Sequence, residues 1–167
     1  MPRLEAVQGD ITAEQTDAVV NAANPRLARG AGVCGAIFAK AGPELDAACA
    51  ALGGCATGEA KVTPGFDLPA RFIVHAVGPV WHGGSDGEPE LLASAYRRSL
   101  EAAAEAGVRS IAFPAISTGI YGYPLEPATA IAVATCRDEA PDAIELVRFV
   151  CFDDATLAAY EQELAKG

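Results

Sequence analysis

The side chains that could do chemistry cluster in three loops. Asn21 and Asn24 close the apolar run "DAVVNAAN", and Gly30, Gly32 and Gly35 follow, with Cys34 among them. Glycines at the start of a helix let a phosphate approach backbone N–H groups, and the helix N-terminus favours the negative charge. The pattern Gly30-x-Gly32-x-x-Gly35 has the form of a dinucleotide fingerprint. In a Rossmann turn, however, the glycines follow the strand at once, whereas here Asn24 to Arg29 intervene. A cysteine nucleophile needs a neighbouring base. The only histidines, His75 and His82, are far from Cys34 in sequence. Cys34 therefore reads as a small spacer that permits close backbone packing, not as a nucleophile.

The second loop is "AISTGIYGYP", residues 115–124. Its small residues leave backbone N–H groups uncovered, so it can form an anion nest ahead of a helix. Ala115 to Gly119 also resembles a nucleophile elbow, but such a triad needs its histidine after the serine. Both histidines precede Ser117, which excludes that reading. The two glycine loops are thus suited to clamp one diphosphate from opposite sides. The third loop is "QGDIT", residues 8–12. Asp10 there fits either a cap for the turn that follows or an acceptor for a ligand's N–H group.

These loops need strands and helices to hold them. "RLEAVQ", "DAVVNAA", "EAKVTPG", "RFIVHAVGP", "RSIAFPAI" and "IELVRFVCF" read as strands. "GAIFAKAG", "PELDAACAALGG", "PELLASAYRRSLEAAAEAG", "EPATAIAVATCRDEA" and "DATLAAYEQELAK" read as helices. The alternation predicts a three-layer α/β/α sandwich with a mixed central sheet, as one domain over residues 1–167. In such folds ligands sit beyond the carboxyl ends of the strands, where the three loops fall.

Composition limits the partners. The chain has 167 residues and a formal net charge of −10, which argues against nucleic acid. No apolar leader or membrane-spanning run is visible, so no membrane partner is expected. Five cysteines without a C-x-x-C pair suggest reduced thiols and a cytoplasmic setting. Cys49 and Cys55 match no standard zinc spacing, so neither a metal nor a cofactor is expected. A monomer is expected.

In order and separation, "GDIT", "VVNAAN", "GAGVCGAIFAKAG", "HAVGP" and "PAISTGIYGYP" resemble the macrodomains of the ADP-ribose-binding, MacroD-like kind, from Val7 to about Ala155. The "GVC" triplet is similar to that of alphavirus macrodomains. The resemblance implies the macrodomain fold and ADP-ribose as ligand. It implies that Asp10 accepts from the adenine amino group beside the Ile11 backbone, and that Phe152 packs on the adenine face. Phe152 read on its own is equally a core aromatic. Gly32, Val33, Cys34, Ser117, Thr118, Gly119, Ile120 and Tyr121 would meet the diphosphate, with Tyr121 also packing on the distal ribose. Asn24 would bond that ribose's hydroxyls and serve catalysis, whereas Asn21 would brace the loop by bonding backbone and His75 would be structural. Members of this kind hydrolyse the ester joining ADP-ribose to Asp or Glu of modified proteins and cleave O-acetyl-ADP-ribose; others only bind. The MacroD loop usually carries an aspartate where Cys34 stands, while the alphavirus relatives with "GVC" are hydrolases.

Overall fold

The computed structural model describes residues 1–167. The chain runs β1 (Arg3–Gln8), a 3-10 turn (Ile11–Ala13), β2 (Ala18–Ala22), α1 (Gly32–Ala41), α2 (Glu44–Leu52), β3 (Ala60–Pro64) and β4 (Phe72–Ala76). It continues through α3 (Glu88–Glu105), β5 (Ser110–Phe113), α4 (Leu125–Glu139), β6 (Leu146–Cys151) and α5 (Asp154–Ala165). The six strands form one sheet in the order β1-β6-β5-β2-β4-β3. All neighbours are parallel except β3 and β4, whose register pairs Ala60 with Ala76 and Pro64 with Phe72. The mixed sheet between helical layers is the expected sandwich.

Parallel strands covered on both faces must be apolar on both, and β2 shows this. Ala18 and Val20 enter the core under α3, α4 and α5, built around Leu92, Tyr96, Leu100, Phe113, Phe149 and Tyr160. Val19 enters the opposite core with Ile37, Phe38 and Leu45 of α1 and α2. Phe113 and Phe149, on neighbouring strands, stack at 6.2 Å between ring centroids, and Phe149 stacks on Tyr160 at 4.7 Å.

The parallel strands β1, β2, β5 and β6 all end on the same edge. The loops that follow them, at residues 9–12, 23–31, 114–124 and 152–153, therefore meet there. Helix α1 starts at Gly32, ahead of the expected Gly35, so Cys34 lies within its first turn. No helix is long and apolar enough to cross a membrane.

Candidate functional site

The converging loops enclose a cleft of about 970 Å³. All twelve residues singled out in the sequence line it: Asp10, Ile11, Asn24, Gly32, Val33, Cys34, Ser117, Thr118, Gly119, Ile120, Tyr121 and Phe152. The strand order lays out its length. The Asp10 and Phe152 loops follow the adjacent strands β1 and β6, and the two glycine loops follow the adjacent strands β5 and β2.

The lining contains no lysine, arginine or histidine. An anion here must be held by backbone N–H groups, and these are on offer. The N–H groups of Val33 and Cys34, in the first turn of α1, donate to no acceptor in the chain. The same holds for Ser117 through Tyr121. Ser117 takes a φ of +69°, in the left-handed region, which costs a non-glycine residue about 1–2 kcal/mol. The turn is pinned by N–H donation from Gly122 to Gly119 and from Tyr123 to Ser117, at 3.0 and 2.9 Å. Burial raises the Tyr121 phenol, with a smaller contribution from Cys34.

Asp10 performs the capping role. Its Oδ1 accepts from Thr12 N–H at 2.9 Å and from the Thr12 hydroxyl at 2.6 Å. The hydroxyl bond, then the backbone bond, hold its carboxyl below the ordinary carboxylate range. Both bonds end on Oδ1, so Oδ2 remains without a partner in the chain. Phe152 is no core aromatic: it is 85% exposed at the rim, and that alternative is excluded. Ile120, on the second glycine loop, is 82% exposed. Such large apolar side chains in water suit a planar or sugar-like ligand face.

The two asparagines exchange part of their expected roles. Asn24, not Asn21, braces the loop through backbone: its Nδ2 donates to Ala28 O at 2.8 Å and its Oδ1 accepts from Ala28 N–H at 3.1 Å. Each end of its amide keeps one further bonding position for a ligand. Asn21 is buried on β2, and its Nδ2 lies 3.1 Å from His75 Nδ1 and 3.7 Å from Cys34 Sγ. An amide nitrogen only donates, so His75 Nδ1 accepts and the ring proton sits on Nε2. From there it is donated to Thr63 Oγ1 at 2.9 Å. Burial pushes His75 down to about 4, which keeps the ring neutral. The Cys34 thiol donates to Ala28 O at 3.7 Å, joining the same loop brace.

Cys49 Sγ lies 3.7 Å from His75 Nε2, whereas Cys55 Sγ points to Ala56 O. No three His, Cys, Asp or Glu side chains gather to hold a metal ion. Sequence reasoning passed over Gly78, which lines the cleft although it reads only as strand-ending punctuation. A Cβ at Gly78 would collide with Ser117 Oγ and lie 2.5 Å from Ile116 Cγ2. Asp153 was also missed: it lines the cleft and caps α5, accepting from Thr156 N–H at 2.8 Å. Its position just before "DATLAAYEQELAK" was the available signal.

Known proteins share both the sequence and the geometry. A protein from Chlorobaculum tepidum, described as macro domain-containing, is 57% identical over 98% of this chain and 96% of its own length. A Klebsiella pneumoniae protein named O-acetyl-ADP-ribose deacetylase is 52% identical over 96% of this chain and 95% of its own. The Oceanobacillus iheyensis macrodomain solved with ADP superposes with a TM-score of 0.91 at 44% identity, covering 96% of this chain and 89% of that one. The Trypanosoma brucei macrodomain in complex with ADP-ribose gives 0.90 at 43% identity, covering 96% and 68%. The Macro domain family model matches residues 20–132, from β2 through both glycine loops into α4, and with this sheet order and these relatives the chain belongs to the Macro domain family.

Proposed function

We propose that the cleft binds ADP-ribose and that the protein hydrolyses ADP-ribosyl esters, both O-acetyl-ADP-ribose and ADP-ribose attached to Asp or Glu of proteins. The observation that carries the reading is the pair of glycine loops with unpaired N–H groups facing a cleft without cations. Such a surface suits a diphosphate. The adenine then lies over β1 and β6, where Asp10 Oδ2 accepts from the exocyclic amine and Phe152 covers the ring. The distal ribose falls between Asn24 and Tyr121. ADP and ADP-ribose in the superposable relatives, and the deacetylase name of a relative at 52% identity, support the same assignment.

Chemistry takes place at the distal ribose. For a glutamyl ester, a water held by the Asn24 amide and a substrate phosphate oxygen attacks the anomeric carbon. The carbon–oxygen bond to the protein carboxylate breaks, that carboxylate leaves, ADP-ribose carries the new hydroxyl, and the water's other proton passes to solvent. For the acetyl ester, water adds to the acetyl carbonyl and the bond from that carbon to the ribose oxygen breaks. The ribose oxygen takes one of the water's protons to become a hydroxyl, and acetate and the other proton are released. Cys34 serves as a small spacer in the phosphate loop.

A second reading, a non-catalytic ADP-ribose reader, draws on one observation. The only carboxylates lining the cleft are Asp10 and Asp153, on the β1 and β6 side. A missing base costs about 10²–10⁴-fold in rate. Incubation with O-acetyl-ADP-ribose and with a glutamate-ADP-ribosylated protein, following acetate and label release, separates the two. Hydrolysis is expected for both substrates. Micromolar ADP-ribose binding, about −8 kcal/mol, without turnover of either would establish the reader. AMP binding as tightly as ADP-ribose would reject the site.

A further inference from the structure

Glu88, the first residue of α3, is 1% exposed and has no basic partner. Its carboxylate instead collects backbone N–H groups from the preceding loop. Oε2 accepts from His82 at 2.7 Å and from Gly84 at 3.0 Å, and Oε1 accepts from Asp86 at 2.7 Å. Burial by itself opposes ionisation, but these N–H groups outweigh it and hold the carboxyl down to about 2. The loop it gathers, "HGGSDG", has three glycines and would otherwise lack a fixed shape.

That loop leads to the cleft. Trp81 donates its backbone N–H to Tyr121 O at 2.8 Å. Its ring packs on Tyr123 at 4.6 Å between centroids. Tyr123 in turn bonds Ser117 O. The indole also sits against Gly84, where a Cβ would lie 2.9 Å from Trp81 Cη2. The Glu88 carboxylate and the second glycine loop are therefore two ends of one continuous set of contacts.

We propose that Glu88 is a positioning residue for the phosphate-facing loop: it ties residues 82–86 together, these seat Trp81, and Trp81 holds Tyr121 and Tyr123 in place. The proposal rests on reading the cleft as an ADP-ribose site. It assigns Glu88 to one half of that site only. The Asp10–Phe152 end belongs to β1 and β6 and is reached by none of these contacts. Loss of Glu88 should weaken a ligand that needs the diphosphate and distal ribose, and spare one that ends at the first phosphate.

The test compares ADP-ribose with AMP in Glu88→Gln, which keeps the size but turns an amide N–H2 towards backbone donors. Calorimetry gives both affinities, circular dichroism checks the fold, and Trp81, the single tryptophan, reports the loop by fluorescence. The expected result is at least tenfold weaker ADP-ribose binding, AMP binding within twofold of the parent, and a Trp81 signal that no longer responds fully to ADP-ribose. Glu88→Asp, which keeps the charge but shortens the reach to the three N–H groups, should give the same split and carries the test if Glu88→Gln does not fold. Unchanged ADP-ribose affinity in the folded variants overturns the proposal. Equal losses for AMP and ADP-ribose overturn it too, since they report general loosening. A parent protein that binds neither ligand overturns the ADP-ribose reading itself, and the role of Glu88 with it.

Discussion

Gly35→Ala sets two known effects against each other. Gly35 lies in the first turns of α1, and a Cβ there would stand 2.5 Å from Gly30 O. An ordinary carbon–oxygen contact is about 3.3 Å, so one side must yield by roughly 0.8 Å. Alanine in a helix gains about 0.5–1 kcal/mol over glycine. Overpacking costs about 1–3 kcal/mol, least where the neighbour can move. Gly30 and its neighbours Ala28, Arg29 and Ala31 are exposed, whereas Ile37 and Phe38 of the helix are fully packed. The loop yields, but against its own bonds from Asn24 and Cys34 to Ala28, so overpacking exceeds the alanine gain by about 1–2 kcal/mol and the melting temperature should fall by several degrees. Function should not be spared. The displaced backbone runs directly into the unpaired N–H groups of α1, and a displacement approaching 1 Å in a positioned site costs up to about 10²-fold. ADP-ribose affinity should fall about ten- to a hundredfold, or about 1.4–2.8 kcal/mol. Calorimetry beside a thermal melt reads both quantities. An affinity within twofold of the parent would falsify the placement of the loop at the phosphate. A collapse of the melting temperature would show that the helix, and not the loop, gives way.

Asp10→Asn keeps an oxygen for the Thr12 cap but replaces the free carboxylate oxygen, so ADP-ribose should bind about 1–3 kcal/mol more weakly with stability nearly intact. Asp10→Ala should lose about 1 kcal/mol of stability as well; a parent-like affinity in Asp10→Asn would remove Asp10 from the adenine contact. Cys34→Ala should retain hydrolysis within about tenfold, roughly 1.4 kcal/mol of barrier, while Asn24→Ala, which loses both the Ala28 brace and the ribose contact, should lose far more. Initial rates on O-acetyl-ADP-ribose decide this, and an inactive Cys34→Ala that still binds ADP-ribose, or a trapped ADP-ribosyl adduct on Cys34, would make the thiol catalytic. His75 has a folded value of about 4 against an ordinary 6.5, so between these values the unfolded chain binds a proton that the folded one does not. Its contribution is complete above pH 6.5 and lost as pH falls towards 4, up to about 3 kcal/mol in all. Denaturant titrations at pH 7, 5.5 and 4.5 should show this slope, and a His75→Gln variant with an equally steep slope would assign it to other groups.

Much of the molecule is local in origin and was therefore legible. Apolar runs punctuated by Gly53-Gly54, Pro64-Gly65 and Gly78-Pro79 mark element ends, because glycine and proline act on the backbone within a residue or two. The glycine loops announce their N–H groups for the same reason: a helix start leaves its first donors unpaired wherever it occurs. The stretch from Ser117 to Tyr121 could thus be named before any fold was known, whereas Asp10 and Asn24 were named as ligand contacts only through the resemblance of their motifs. What the tertiary structure alone decided concerns residues far apart in the chain. Asn21 was expected to bond backbone, yet its partner is His75 on the neighbouring strand, a pairing set by the β2–β4 register. The brace passed to Asn24, whose reach to Ala28 depends on how the loop folds back. Phe152 was as consistent with a core as with a rim, because hydrophobicity does not say on which side of the last strand the chain turns. Gly78 and Glu88 carried no signal in their own neighbourhoods beyond punctuation and a helix start. Their roles come from Ser117 and from the loop under Trp81, and a contact across the fold leaves no trace in the spacing of the residues that make it.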